Sequence, residues 1–303
     1  MSGLAVGGNA ELARQQWQEQ VPPMVALLRG SVDWYRTCCD GLGLRPTRSS
    51  AAGKDLADPH WGERHDVHSP MHWGLTAAHY RMVIACDYVE GLASLLDHWP
   101  PHQFAPVPVA RGAIETCARV VWMIDPAIDR PTRARRMLAE RIAEEKWAIK
   151  TGADTAGLVE VQAIAGTLGV AVTLNDKGMP WGIQGVPYPP LEKIAPNAIA
   201  SSASRHRRAL WQQLAGIAHG SPLGVRAAMT TRDTGGGPDY DVVLHVKARD
   251  LAILSTTVAD VFVDAVGVLG QLTGWAPHRI FGQGRSALAT ASAALDRRHL
   301  ALN

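Results

Sequence analysis

Apolar residues recur at helical spacing along most of the chain, and they predict helices rather than strands. Val25, Leu27, Leu28, Val32, Trp34 and Tyr35 give residues 10–39 one apolar face. Pro22-Pro23 predicts a kink there, or a break into two helices. Ser69 followed by Pro70 is an N-cap with a first-turn proline, and it opens a long helix running to about Trp99. Pro100, Pro101, Pro106 and Pro108 form a stiff connector after it. The next helix, centred on 111–124, stops at Asp125-Pro126, and another begins near Pro131. Shorter helices are expected over 157–168 and 204–218, with a further one over 222–230 as an option. Residues 248–273 form the most apolar helix and 285–300 the last. Strand signals are sparse: VAVTL at 170–174 and the alternating YDVVLHV at 240–246. Residues 40–69, 170–190 and 231–241 are rich in Gly, Pro, Ser and Asp. They read as insertions within a single helical domain spanning 1–303, the last as a flexible turn or lid. The sum is an all-α fold: a multi-helix bundle with long loops and at most a short hairpin.

Composition narrows the function classes. The chain is 47% hydrophobic and 19% charged, which supports a substantial core and excludes global disorder. A net charge of +2 gives no broad electrostatic case for nucleic acid or membrane, although local basic clusters stay open. The longest apolar run, 251–272, carries Asp260 and Asp264 near its centre, which argues against a membrane span. Cys38, Cys39, Cys86 and Cys117 contain no Cys-x-x-Cys and read as free thiols of a reducing, cytoplasmic protein. The first residues lack the basic-then-apolar order of a signal peptide. There is no GxGxxG before a helix, no GxxxxGK[ST] and no GxSxG, so the common cofactor, nucleotide and hydrolase readings lapse and no cofactor is expected.

The strongest chemical signal lies within 111–125. Arg111, Glu115 and Arg119 stand four residues apart, on one stripe of a helix, where Arg and Glu can pair. Trp122 flanks the stripe, with Gly112 and Met123 beyond, where a solvated face would carry Lys, Gln or Ser. Such a paired cluster is either a structural network, with Asp260 or Asp264 as further partners, or the wall of a polar site. In the second case Arg111 and Arg119 grip an anionic group and Glu115 orients them.

His219 ends an apolar helix just before Gly220 and Pro222, at a C-terminus that favours a protonated ring. It is a candidate proton donor, with simple capping as the alternative. Ser221 beside it is a polar partner or a turn residue. His60, His65, His68, His72 and His79 cluster in sequence, but Pro70 interrupts the His68–His72 pair and no HExxH occurs. No metal site is expected; Trp122, His72 and His79 are candidate pocket-lining residues. Arg133, Arg135, Arg136 and Arg141 interleave with Glu140, Glu144 and Glu145, a pattern that reads as a solvated, salt-bridged face.

Three stretches, RGAIETCARVVWMIDP (111–126), RARRMLAER (133–141) and RHRRALWQQLAGIAHGSP (205–222), together resemble a widespread, uncharacterised family of helical bacterial proteins. The likeness covers about residues 105–230, and that family is similar to HEPN-like bundles. The resemblance implies a helical bundle with a polar centre built from Arg111, Glu115, Arg119 and His219. HEPN nucleases carry an Arg, a spacer of four to six residues, and then a His. Here Gln212, Gln213 and Leu214 occupy those places. The leading expectation is an internal site for a small anionic molecule, with His219 and Glu115 as candidate catalytic groups. HEPN-like RNA binding or processing is the second, through Arg205, Arg207 and Arg208 beside His219; a ligand-free interaction module is the third. Trp-rich apolar helices suggest a homodimer.

Overall fold

The computed structural model describes residues 8–59, 69–100, 102, 104–152, 154–176, 179–186, 188–199, 207–221, 229–233, 240–244 and 248–300. Ten helices and four short strands occur among them. In chain order they are α1 (Gly8–Leu42), α2 (Ala51–Leu56), α3 (Pro70–Asp97), α4 (Pro106–Ile124), α5 (Arg130–Lys150), α6 (Ala156–Thr167), β1 (Val172–Leu174), β2 (Pro180–Ile183), α7 (Leu191–Ala198), α8 (Arg207–Ala218), β3 (Met229–Asp233), β4 (Tyr240–Leu244), α9 (Ala248–Thr273) and α10 (Arg279–Leu300). The architecture is the expected all-α bundle. It carries two antiparallel two-stranded sheets, β1–β2 and β3–β4, rather than one hairpin. The option of a helix over 222–230 is corrected at its end, where Met229 and Thr230 begin β3; 222–228 lie outside the described residues.

Helices α1, α3, α4 and α9 form the centre. Helix α10 packs on α1 and α9, and α5 packs on α3 and α4. Met24, Leu28, Met82, Leu92, Ile114, Met123 and Phe262 are fully enclosed among them. A second cluster joins α5 and α6 to the β1–β2 hairpin through Leu138, Ile142, Val161, Ile164 and Ile183. Trp122 touches both clusters.

Helix α1 runs unbroken through Pro22 and Pro23. Val21 and Met24, on either side, are buried, while Pro22 faces outward. Core packing therefore holds the helix where local propensity would bend it. The Glu19 carbonyl, which Pro23 cannot serve, accepts instead from Arg298 Nη2 at 3.4 Å. Ser69 caps α3 as expected, its hydroxyl accepting from the His72 N–H at 3.2 Å. Asp129 does the same for α5 at 2.8 Å from the Thr132 N–H.

Helix α9 is long and apolar enough to cross a membrane, yet 78% of its apolar window is buried inside the bundle. Its hydroxyls are satisfied locally: Ser255, Thr256, Thr257 and Thr273 each return to a carbonyl one turn back.

Candidate functional site

The stripe on α4 exists, but its three charges enter two different environments. Arg111 and Glu115 form the expected pair, with Nε donating to the carboxylate at 2.7 Å. Arg111 also reaches α8. Its Nη1 lies 2.7 Å from His219 Nε2, and its guanidinium stacks 5.1 Å from the centre of the Trp211 ring. A guanidinium only donates, so Nε2 accepts and the ring proton of His219 sits on Nδ1. The Arg111 and Glu115 side chains are 18% and 24% exposed, and His219 is exposed. This is a surface-reachable cluster.

Local geometry explains where His219 sits. Gly220 takes φ 64°, and its N–H bonds the Ile217 carbonyl at 3.0 Å. The Ser221 N–H bonds the Gly216 carbonyl at 2.8 Å. Those two bonds are a Schellman ending. Ser221 thus serves the turn through its backbone.

Arg119 turns the other way and is 4% exposed. Its Nη1 donates to the Pro189 carbonyl at 3.1 Å, and its guanidinium lies 4.1 Å from the Tyr188 ring and 5.6 Å from Trp122. Its carboxylate partner is Glu140 of α5 at 3.7 Å. Arg81 of α3 grips the same Glu140 and also Glu144 at 2.8 Å. Trp122 meets Tyr188 edge-on at 5.8 Å and stacks with Arg136 at 5.5 Å. Glu140 is fully buried, and that burial pushes its pKa up against the pull of Arg81 and Arg119. Tyr188 is raised by burial and then by the Glu140 charge.

The reading of α5 as a solvated face is therefore corrected. Arg133, Glu140 and Arg141 are buried. Arg133 and Arg130 hold Asp55 of α2, at 3.0 and 2.8 Å. Sequence reasoning missed Arg81, Tyr188 and Trp211 as partners. The one available signal was Glu140, which stands between Met137-Leu138-Ala139 and Ile142.

Asp260 and Asp264 are engaged from α10. Asp260 accepts from Ser292 at 2.8 Å and Asp264 faces Arg285 at 3.6 Å, both on α10. His79 is turned toward the α1 side. Its Nδ1 lies 3.3 Å from the Tyr35 hydroxyl and its ring 6.0 Å from Trp275, and burial lowers its pKa to about 4. The His72 side chain is exposed, at the start of α3. Neither histidine is brought to Arg111. His60, His65 and His68 lie outside the described residues, as does Arg205; the Arg207 and Arg208 side chains are likewise not described. Among the described residues no group of three His, Cys, Asp or Glu is arranged to hold a metal ion. Cys38, Cys86 and Cys117 are buried, Cys39 is half-buried, and all four are free, with burial raising each thiol pKa.

No protein-family model, curated protein or solved structure matches this chain.

Proposed function

We propose that the α4–α8 junction binds the anionic group of a small molecule, phosphate or carboxylate, through Arg111 and His219. The observation that carries this reading is the 2.7 Å contact between Arg111 Nη1 and an exposed His219, side chains from two helices joined at the surface. Glu115 holds Nε and so fixes the plane of the guanidinium. That leaves Nη2 as a donor for a bound oxyanion, with the His219 Nδ1–H, on the far side of the ring, as a donor for a second polar atom of the ligand. Trp211 supports the guanidinium from behind. His219 is also placed to pass a proton to or from the bound group, which is the form a catalytic role would take. Arg119 drops out of the binding set, because Glu140, Tyr188 and Pro189 engage it.

Isothermal titration with inorganic phosphate tests this. The wild type is expected to bind saturably, and His219→Gln and Arg111→Gln are expected to weaken binding by about tenfold or more, the worth of one charge-assisted hydrogen bond. Equal binding by both variants, with helicity confirmed by circular dichroism, sinks the proposal.

One observation favours a second reading. Arg111 supplies in space the arginine that the sequence before His219 lacks, which is the pairing HEPN-like RNA processing needs. Binding of a single-stranded RNA that falls steeply with salt would support it; insensitivity to salt would remove it.

A further inference from the structure

A cavity of about 230 Å³ opens between α1, α9 and α10. Its walls include Leu27 of α1, Asp260, Val263 and Asp264 of α9, and Arg285 and Leu288 of α10. At roughly 30 Å³ per liquid water the space equals about seven or eight waters. That lies below the range of drug-sized pockets and suits a metabolite of amino-acid size.

The chemistry of the walls is divided. Asp260 and Asp264 stand one turn apart on α9 and both line the cavity. Asp260 is engaged by the Ser292 hydroxyl. Asp264 has Arg285 at 3.6 Å, an ion-pair distance too long for a good hydrogen bond. The Arg285 guanidinium lies over Gly267, where even a Cβ would stand 3.3 Å from its Cζ. The glycine therefore gives Arg285 its seat across the α9–α10 seam. Leu27, Val263 and Leu288 make the remaining wall apolar. At that spacing neither charge saturates the other, and both side chains are about half exposed, so each is open to a further partner. A simple cation satisfies the aspartates and competes with Arg285. A simple anion satisfies Arg285 and is repelled by the aspartates. A zwitterion meets both.

We propose that this cavity binds a small free α-amino acid with an aliphatic side chain. Its ammonium sits against Asp264, its carboxylate on Arg285, and its side chain on Leu27, Val263 and Leu288. The site shares no residue with the α4–α8 junction, so the two readings stand or fall separately.

Titration with L-leucine tests it, with isopentylamine and isovalerate as probes carrying one charge each and glycine as the probe without a side chain. L-leucine is expected to bind one per chain, about tenfold or more tighter than any of the three. Arg285→Gln is expected to reduce leucine to the level of the amine, and Asp264→Asn to the level of the acid. Both side chains are about half exposed, so both variants should fold, and circular dichroism checks this. The proposal is overturned by absence of leucine binding at tens of millimolar, by an amine or acid that binds as well as leucine, or by leucine binding that survives both substitutions. Phosphate titration of Arg285→Gln should match the wild type, which keeps a failure here distinct from a failure at His219.

Discussion

Two arginines one helical stripe apart do different work because of what surrounds them. Arg119 is sealed beside a fully buried Glu140, whereas Arg111 sits at the edge of solvent. Removing one partner of a buried pair leaves the other charge uncompensated. Arg81 still holds Glu140 when Arg119 is lost, so Arg119→Met should cost about 2–3 kcal/mol in urea denaturation, chiefly from the buried Pro189 carbonyl and Glu140 oxygen left unserved. Arg111→Met should cost about 1 kcal/mol or less, as expected of a largely screened pair. Equal losses would show that the Glu140 network does not hold the fold.

His79 makes a second residue-scale prediction. Its ordinary pKa of 6.5 falls to about 4 in the folded protein because burial disfavours the charged ring. The sign follows from proton uptake. As pH drops below 6.5 the unfolded chain binds a proton that the folded chain refuses, so stability falls, and the loss levels off near pH 4. Between pH 7.5 and 4.5 the difference is about 2–3 kcal/mol. His79→Gln, which keeps an acceptor for Tyr35, should lose that much less stability over the same interval. An identical loss in the variant would assign the acid sensitivity elsewhere.

At the scale of elements, close approach decides which glycines matter. In α10 a Cβ on Gly284 would collide with the Trp34 ring of α1, while at Gly282 nothing lies within 4 Å. Gly284→Ala should destabilise by about 1–3 kcal/mol through overpacking. Gly282→Ala should be neutral or stabilising by up to about 1 kcal/mol, from helix propensity alone. Thermal melts of the two variants check this, and a reversed order would contradict the α1–α10 packing. The helix ends were readable because their causes are local: Ser69 and Pro70 start α3, Asp129 starts α5, and Gly220 ends α8. Helices α2 and α7 were not. Helix α2 depends on Asp55 being held by Arg130 and Arg133, some 75 residues away, and α7 follows directly on the segment that Arg119 grips. Continuity of α1 through Pro22 and Pro23 was also illegible, since burial on both sides of the pair overrides the propensity that the sequence displays.

At the scale of the whole molecule, spacing announced the Arg111–Glu115 pair, because i,i+4 contacts depend only on helix geometry. It could not announce the division of labour. Whether Arg119 faces His219 or Glu140 depends on how α5 and the segment before α7 dock on α4, a matter of packing between distant stretches. The same docking buried Glu140 within a run of charges that reads as solvated. It also parted His79, held at Tyr35, from Arg111, held at His219. A donor–acceptor contact at the surface joins α4 to the end of α8, and the His219 ring reports on it directly. Long-range proton–nitrogen spectra of the uniformly labelled protein, with the His219 signals identified by their loss in His219→Gln, test it with and without inorganic phosphate. The expected result is a ring protonated on Nδ1 with Nε2 accepting, and signals that move saturably as phosphate is added. A ring protonated on Nε2, or signals that phosphate leaves in place, would contradict it.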